Sequence, residues 1–382
     1  MTHEYDVIIC GAGPAGCTAA LALGTSGRKV ALVDKDTFPR DKVCGDAVPA
    51  YAQKVLNSIN PLLAEDLGKQ LTLHKVNKCR IFAPDENTLD LDFPEYGFIC
   101  KRIEFDNFLF SLASSLQNTT VFQNLKIIGI SADKNGVIAT ASDGSVFKAS
   151  LVIGCDGANS VVRRHLSGPR CNNIIFSSAA RTYFKNVRDI PETTYEIHFL
   201  RNLLPGYFWI FPLPGNEANV GLGLPPVVIA EKKMDPRKEL SRIIETVPYL
   251  RSRFSQAEMT GELKAQVLPL GLNRMDISGE RIMLCGDAAS LINPATGAGI
   301  GHAMQSGRYA GWHAVKCFDH NKFSEEFMRD YDMSVFSKIR EENRYYLKIR
   351  KYVLEHPGRI NILVNTGSKF KYLRKKMTKL LK

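Results

Sequence analysis

Residues 5–10 (YDVIIC) are followed at once by Gly11-Ala-Gly13-Pro14-Ala15-Gly16, and no other segment limits the possible folds as tightly. A short apolar strand that runs into G-x-G-x-x-G and then into small residues (CTAALALGTSG) reads as strand, tight turn and helix. Gly11 permits the turn, Gly13 lets the backbone approach a pyrophosphate, and Gly16 lets helix and strand pack closely. Pro14 and Ala15 open the helix, whose first N–H groups and positive dipole end face the phosphates. A second apolar strand, 29–33, ends at Asp34 and Lys35, where the Asp34 carboxylate is in place to accept from a ribose hydroxyl. A glycine-rich turn could arise by chance, but this strand–turn–helix–strand context points to a bound adenine dinucleotide.

Two later segments narrow the dinucleotide. Residues 151–164 (LVIGCDGANSVVRR) give a buried strand, a turn at Asp156-Gly157 and a helix start. Residues 281–301 (RIMLCGDAASLINPATGAGIG) give a strand, Gly286-Asp287, a loop through Pro294, and Gly297-Ala298-Gly299-Ile300 leading into a helix. Taken singly, each is a strand ending in an Asp-containing turn. In this order they resemble the FAD-binding motifs of the flavoprotein family built like p-hydroxybenzoate hydroxylase. The resemblance implies FAD, with its ADP half on the glycine turn, Asp156 and Gly157 near the flavin, and Gly286 and Asp287 at the ribityl chain and pyrophosphate. It also implies that Pro294 and Gly297 contact the cofactor, that Ala298, Gly299 and Ile300 face the flavin's pyrimidine edge, and that Arg102, opening a helix, contacts the phosphates. With a single G-x-G-x-x-G there is no second dinucleotide domain, so NAD(P)H is expected only as a transient reductant.

The fold expected from this resemblance is α/β: a Rossmann-like FAD-binding domain with an inserted antiparallel β-sheet substrate domain and a helical C-terminal segment. The FAD-binding domain is assigned to 1–75, 100–170 and 271–330, the substrate domain to 76–99 and 171–270, and the C-terminal segment to 331–382.

Two elements point to one branch of that family. One is Asp41-Lys42-Val43-Cys44-Gly45-Asp46, where the chain is expected to pass the flavin ring. The other is Tyr207-Phe-Trp209-Ile-Phe211-Pro212 followed by Gly221-Leu-Gly223. Both are similar to the geranylgeranyl reductase family, whose members hydrogenate isoprenoid carbon–carbon double bonds. The residues themselves read as two apolar strands joined by a Pro-Gly-Asn-Glu turn, a hairpin signal. Alternation sets Tyr207, Trp209 and Phe211 on one face and Phe208 and Ile210 on the other. The first face is expected to form an apolar slot with Pro212, Gly221 and Gly223; the second is expected in the core. Trp209 is expected in the slot, because burying an indole requires a partner for its N–H. Cys44 and Tyr207 are the candidate proton donors; a thiolate at Cys44 would need a lowered pKa.

The expected activity is reduction of carbon–carbon double bonds in a hydrophobic or lipid substrate. A monooxygenase or halogenase on the same fold is the alternative; the flavin halogenases carry Trp-x-Trp-x-Ile-Pro at the aromatic element, and Lys75 or Lys78 would have to serve as catalytic lysine. A flavoprotein that only docks on membranes is the third reading. The net charge of +11 favours no nucleic-acid partner. Residues 338–382 hold 14 Lys and Arg against three Glu and so carry all of it, leaving the body neutral. The final stretch sets Phe370, Leu373, Met377, Leu380 and Leu381 against Lys371, Arg374, Lys375, Lys376, Lys379 and Lys382. That pattern reads as a basic amphipathic helix, with residues 369–382 suited to an anionic membrane surface or simply packed with a solvated outer side. Nine scattered cysteines with no C-x-x-C suggest a reducing, cytoplasmic setting, with no metal site and no disulfide frame. No leader pattern and no apolar run of spanning length is expected.

Overall fold

The computed structural model describes residues 1–167, 176–270, 276–294 and 296–380. Cys171 and the expected boundaries at 170–171 and 271 lie outside them.

Val7–Cys10 is the centre of a six-stranded sheet. Val30–Val33 and Leu151–Gly154 flank it in parallel, and Thr119–Phe122 and Ile282–Leu284 extend the sheet in parallel on either side. Parallel strands covered on both faces must be apolar throughout, as VIIC, VALV, LVIG and IML are. The first crossover is the wholly buried helix Pro14–Leu23. A longer helix, Ile300–His320, lies against it so closely that side chains at Gly307 and Gly311 would strike Ala15, Ala19 and Ala22. A four-stranded sheet, 2–4 with 127–149, adds Phe147, Val137, Ala139 and Ala141 to the same core.

The other large element is a nine-stranded sheet drawn from 47–48, 74–99 and 176–269. It is antiparallel except where Thr194–His198 runs parallel to His74–Phe82. Its two faces differ. One buries Phe208, Ile210, Val220 and Leu222 under the helices Pro236–Thr246 and Pro248–Arg253. The other carries Trp209, Phe211 and Tyr183 with Val76 and Ile99. The hairpin Tyr207–Leu213 and Glu217–Leu224 closes as the sequence suggests, with Leu213 opposite Glu217.

The C-terminal segment is three helices. Ser324 caps Glu325–Glu355, whose Tyr331, Val335 and Ile339 complete the first core. Pro357 ends that run, and two short helices follow, Ile360–Lys369 and Lys371–Leu380. The sequence pattern suggests one terminal helix beginning near 368. The chain instead breaks at Phe370, which is extended (φ −111°, ψ 108°), because Ile360, Val364 and Gly367 of the preceding helix already pack on the sheet around Leu89.

Candidate functional site

The loops that follow Cys10, Val33, Gly154 and Leu284 converge at the carboxyl ends of the parallel strands, where open α/β sheets bind ligands. Gly11 has φ +101°, and a side-chain carbon there would sit 2.3 Å from the Cys155 carbonyl oxygen; one at Gly16 would sit 1.8 Å from the Gly11 oxygen. The turn therefore admits only glycine at both positions. Gly13 precedes a helix with no side-chain cap, leaving the first-turn N–H groups to a ligand. Asp34 is mostly committed to the turn itself: Oδ2 accepts from the Ala12 N–H at 2.6 Å and Oδ1 from the Asp36 N–H at 2.9 Å. Lys35 beside it is exposed.

The cation lying over Gly13 is Arg40, which the sequence does not single out. It shares Asp106 with Arg102: Arg40 Nη1 approaches at 2.8 Å, while Arg102 Nε and Nη2 both donate at 2.6 Å. Arg102 is almost completely buried and also lies beside the Cys44 thiol. Of the two arginines, it is thus Arg40 that overlies the dinucleotide turn, with Arg102 turned to Asp106 and Cys44.

Asp156 accepts from the Val161 N–H at 2.6 Å through Oδ2, while Oδ1 is buried with no hydrogen-bond partner among the described residues. Burial pushes its pKa up. Beside it, Gly157 has positive φ and open space where a side chain would stand. Asp287, after Gly286, behaves oppositely: despite burial, the Lys42 ammonium at 2.8 Å holds its carboxyl below the ordinary value. Pro294 is buried, while Gly297 and Ala298 are exposed at the rim and Gly299 and Ile300 lead into the helix. An uncapped helix end under an arginine, a buried carboxylate oxygen without a donor and a glycine-lined rim fit FAD. Among the described residues no cluster of His, Cys, Asp and Glu could hold a metal ion.

Across this rim stands the aromatic face of the large sheet. Tyr207, Trp209 and Phe211 form a row with 6.0 Å between successive ring centroids. Register explains the spacing of the glycines that follow. Trp209 pairs with Gly221 and Tyr207 with Gly223, so each ring can lie flat over a neighbour without a side chain. A Cβ at Gly221 would stand 2.3 Å from the indole. Pro212 continues the strand as a buried residue. Tyr207 donates to the Thr296 carbonyl at 2.8 Å, and its hydroxyl lies over Gly297, so the row touches the glycine-rich loop directly. Phe211 lies against Gly45 on the other side.

The Cys44 loop is held to this row by residues that the sequence does not reveal. Asn219 receives the Trp209 indole N–H at 2.9 Å and donates at 2.8 Å to both the Cys44 carbonyl and Asp46 Oδ2. Asp46 also accepts from the Tyr183 hydroxyl at 2.8 Å and sits at φ +63°. Burial pushes its pKa up to about 6 against the opposing pull of Arg181, Asn219, Tyr183 and Arg102. Arg181 pins the start of the loop by donating to Asp41 at 2.5 Å. Asp41 is partly buried, yet Arg181 and Lys264 hold it below its ordinary value. Trp209 therefore has a partner and is 5% exposed, contrary to the reasoning that an unpartnered N–H would keep it in an open slot. Burial raises the Cys44 pKa in spite of Arg102, so at neutral pH this residue is a thiol. Burial, with Cys44 adding to it, pushes the Tyr207 phenol up to about 12.

Known proteins match this architecture. Residues 4–320 match the family described as FAD binding domain. A menaquinone reductase of Mycobacterium tuberculosis is 31% identical over 320 residues, covering 80% of this chain and 75% of its own. A digeranylgeranylglycerophospholipid reductase of Methanocaldococcus jannaschii is 28% identical over 358 residues, 92% of this chain and 87% of its own. A geranylgeranyl bacteriochlorophyll reductase-like crystal structure from Thermoplasma acidophilum superposes with a TM-score of 0.82 at 24% identity, covering 96% of this chain and 91% of that one.

Proposed function

From the premise that the chain belongs to the geranylgeranyl reductase family of FAD-dependent oxidoreductases, we propose that it saturates carbon–carbon double bonds in a polyprenyl lipid, with NAD(P)H as reductant. The observation that carries this reading is the composition of the slot. Two weak acids that hold their protons at neutral pH, Tyr207 at one end of the aromatic row and Cys44 near it, stand beside the glycine-rich loop. FAD, when bound and reduced, supplies the hydride that such a reaction needs. The protein's own part is then to seat an apolar chain at Tyr207, the half-buried end of the aromatic row, exclude water, and give a proton to the second carbon. Cys44 is suited to give that proton, because its thiol lies beside Arg102, which would stabilise the thiolate left behind until solvent reprotonates it. Tyr207 is tied to the Thr296 carbonyl and acts mainly in orientation. Menaquinone and digeranylgeranyl lipids, the compounds in the relatives' names, share polyprenyl chains, so substrate choice lies in the head group.

Stopped-flow mixing of photoreduced, FAD-loaded protein with a digeranylgeranyl lipid or menaquinone without oxygen tests the reading. Reappearance of oxidised-flavin absorbance in step with loss of double bonds is expected. Cys44→Ala should slow that phase by about a hundredfold, within the range for loss of a general acid. Flavin that stays reduced with every polyprenyl compound offered refutes it.

A further inference from the structure

The aromatic row continues away from the flavin side, and where it ends the C-terminal helices begin. Phe211 meets Tyr195 edge-on at 5.2 Å, Tyr195 stacks with Phe93 at 6.3 Å, and Tyr207 meets Phe199 at 6.3 Å. Register puts Leu89, Ile81, Ile197 and Trp209 on one face of four adjacent strands. At ~4.8 Å per strand this apolar track is about 14 Å wide. Tyr195, Ile197 and Phe199 along it are only half-buried, whereas Thr194, Glu196 and His198, pointing the other way, are fully buried. Ile360, Val364 and Met377 of the last two helices roof its far end, and Asn365 ties the roof to Asp85 at 3.1 Å.

The roof is apolar on its outer side as well. Ile362 is 62% exposed, Phe370 58% and Tyr372 77%, with Leu363 and Leu373 beside them. Packing does not require these residues, since Ile360, Val364 and Gly367 already face the sheet. Around them Arg359, Lys369, Lys371 and Lys375 are exposed, and residues 356–382 contain eight Lys and Arg and neither Asp nor Glu. No described helix is long and apolar enough to cross a membrane. Exposed apolar side chains within a ring of one sign of charge match a surface that is apolar below and anionic above.

We propose that the outer side of the helix pair 360–380 is a docking surface for an anionic phospholipid bilayer, holding the open edge of the aromatic track against the membrane. The helices lie in the interface with Ile362, Leu363, Phe370 and Tyr372 below the head groups and the lysines among them. A second protein copy is disfavoured as occupant, because two such faces would bring like charges together. This docking stands whether or not the reaction proposed above is right.

Cosedimentation of the full-length FAD-loaded protein with vesicles of phosphatidylcholine, alone or mixed with phosphatidylglycerol, tests it. The protein is expected to pellet with the mixed vesicles only and to be released as salt is raised. Lys369→Gln, Lys371→Gln and Lys375→Gln together should weaken binding at least tenfold, given about fivefold per charge near an anionic leaflet. Ile362→Ser with Phe370→Ser and Tyr372→Ser should do the same. FAD content and melting temperature should be unchanged in both, since every altered side chain is exposed. Binding that ignores lipid charge, or that both variants retain, overturns the proposal. So does failure to pellet, including the case in which the protein instead forms a dimer that the serine variant abolishes.

Discussion

The two faces of the nine-stranded sheet are built from the same strands and put buried charge to opposite uses. On the helix-covered face, the buried Glu196 accepts from Arg253 at 2.7 Å, and the buried His198 lies 3.0 Å from the hydroxyl of the half-buried Tyr249. Burial lowers the His198 pKa, so it is neutral, and the Glu196 carboxylate on the sheet balances Arg253 on a covering helix. On the aromatic face, the buried groups reach across to another layer. Asn219, Tyr183 and Arg181 belong to the sheet, while Asp46, Cys44 and Asp41 belong to the loop that follows Val30–Val33 of the parallel sheet. The first network holds the sheet to its own helices; the second fixes the distance between sheet and flavin loop. Buried polarity thus ties the sheet to its own covering helices on one face and to the Cys44 loop on the other.

Substitutions can break that contrast. Glu196→Ala leaves Arg253 buried without its carboxylate, which should cost about 3–5 kcal/mol of stability. Turnover per bound FAD should not change, as seen by comparing thermal unfolding with single-turnover rates. A large loss of turnover in folded protein would erase the distinction between the faces. Asn219→Ala should cost less, about 1–3 kcal/mol for the orphaned indole N–H and Cys44 carbonyl. Its turnover should nevertheless fall about tenfold or more with FAD retained, because the Cys44 loop loses its tie to Trp209; wild-type turnover would show that the tie is merely structural. Gly221→Ala should cost a similar amount of stability in thermal unfolding, about 1–3 kcal/mol, because the added methyl meets both the Trp209 ring, which can tilt, and the Ala180 carbonyl oxygen, which cannot.

The most delicate test is pH. The folded pKa of Asp46, about 6, lies above its ordinary value of 3.8. The ionised carboxylate therefore costs stability above about pH 6. That cost is relieved as pH falls through 6 and is gone below the ordinary value. Protonation also removes an acceptor from the Asn219–Tyr183 network, so turnover should fall on the acid side with an apparent midpoint near 6. Asp46→Asn, which tolerates the left-handed backbone, should flatten that limb and narrow its melting-temperature difference from wild type as pH drops. An acid limb unchanged in the variant would assign it to another group.

The contrast also accounts for what could be read from the chain alone. Gly11, Gly16 and the apolar strands are dictated by backbone contacts between neighbouring segments, so local pattern suffices for them. The pairing of Trp209 with Gly221 is legible too, because a short turn fixes the register. Asn219 looks like an ordinary hairpin residue, and nothing local pairs it with Cys44, 175 positions earlier. Arg40 over Gly13 and Arg181 on Asp41 are hidden in the same way: each is a charged residue whose partner is chosen by tertiary packing. The break at Phe370 is hidden for a similar reason, since helical periodicity does not say which stripe the sheet has already claimed.

The mass of the product decides between double-bond reduction and its rivals. Anaerobic incubation of the FAD-loaded protein with NADPH and digeranylgeranyl lipid or menaquinone should yield products heavier by two hydrogen atoms for each double bond lost. A product that gains oxygen or halogen, and only in air, would contradict it.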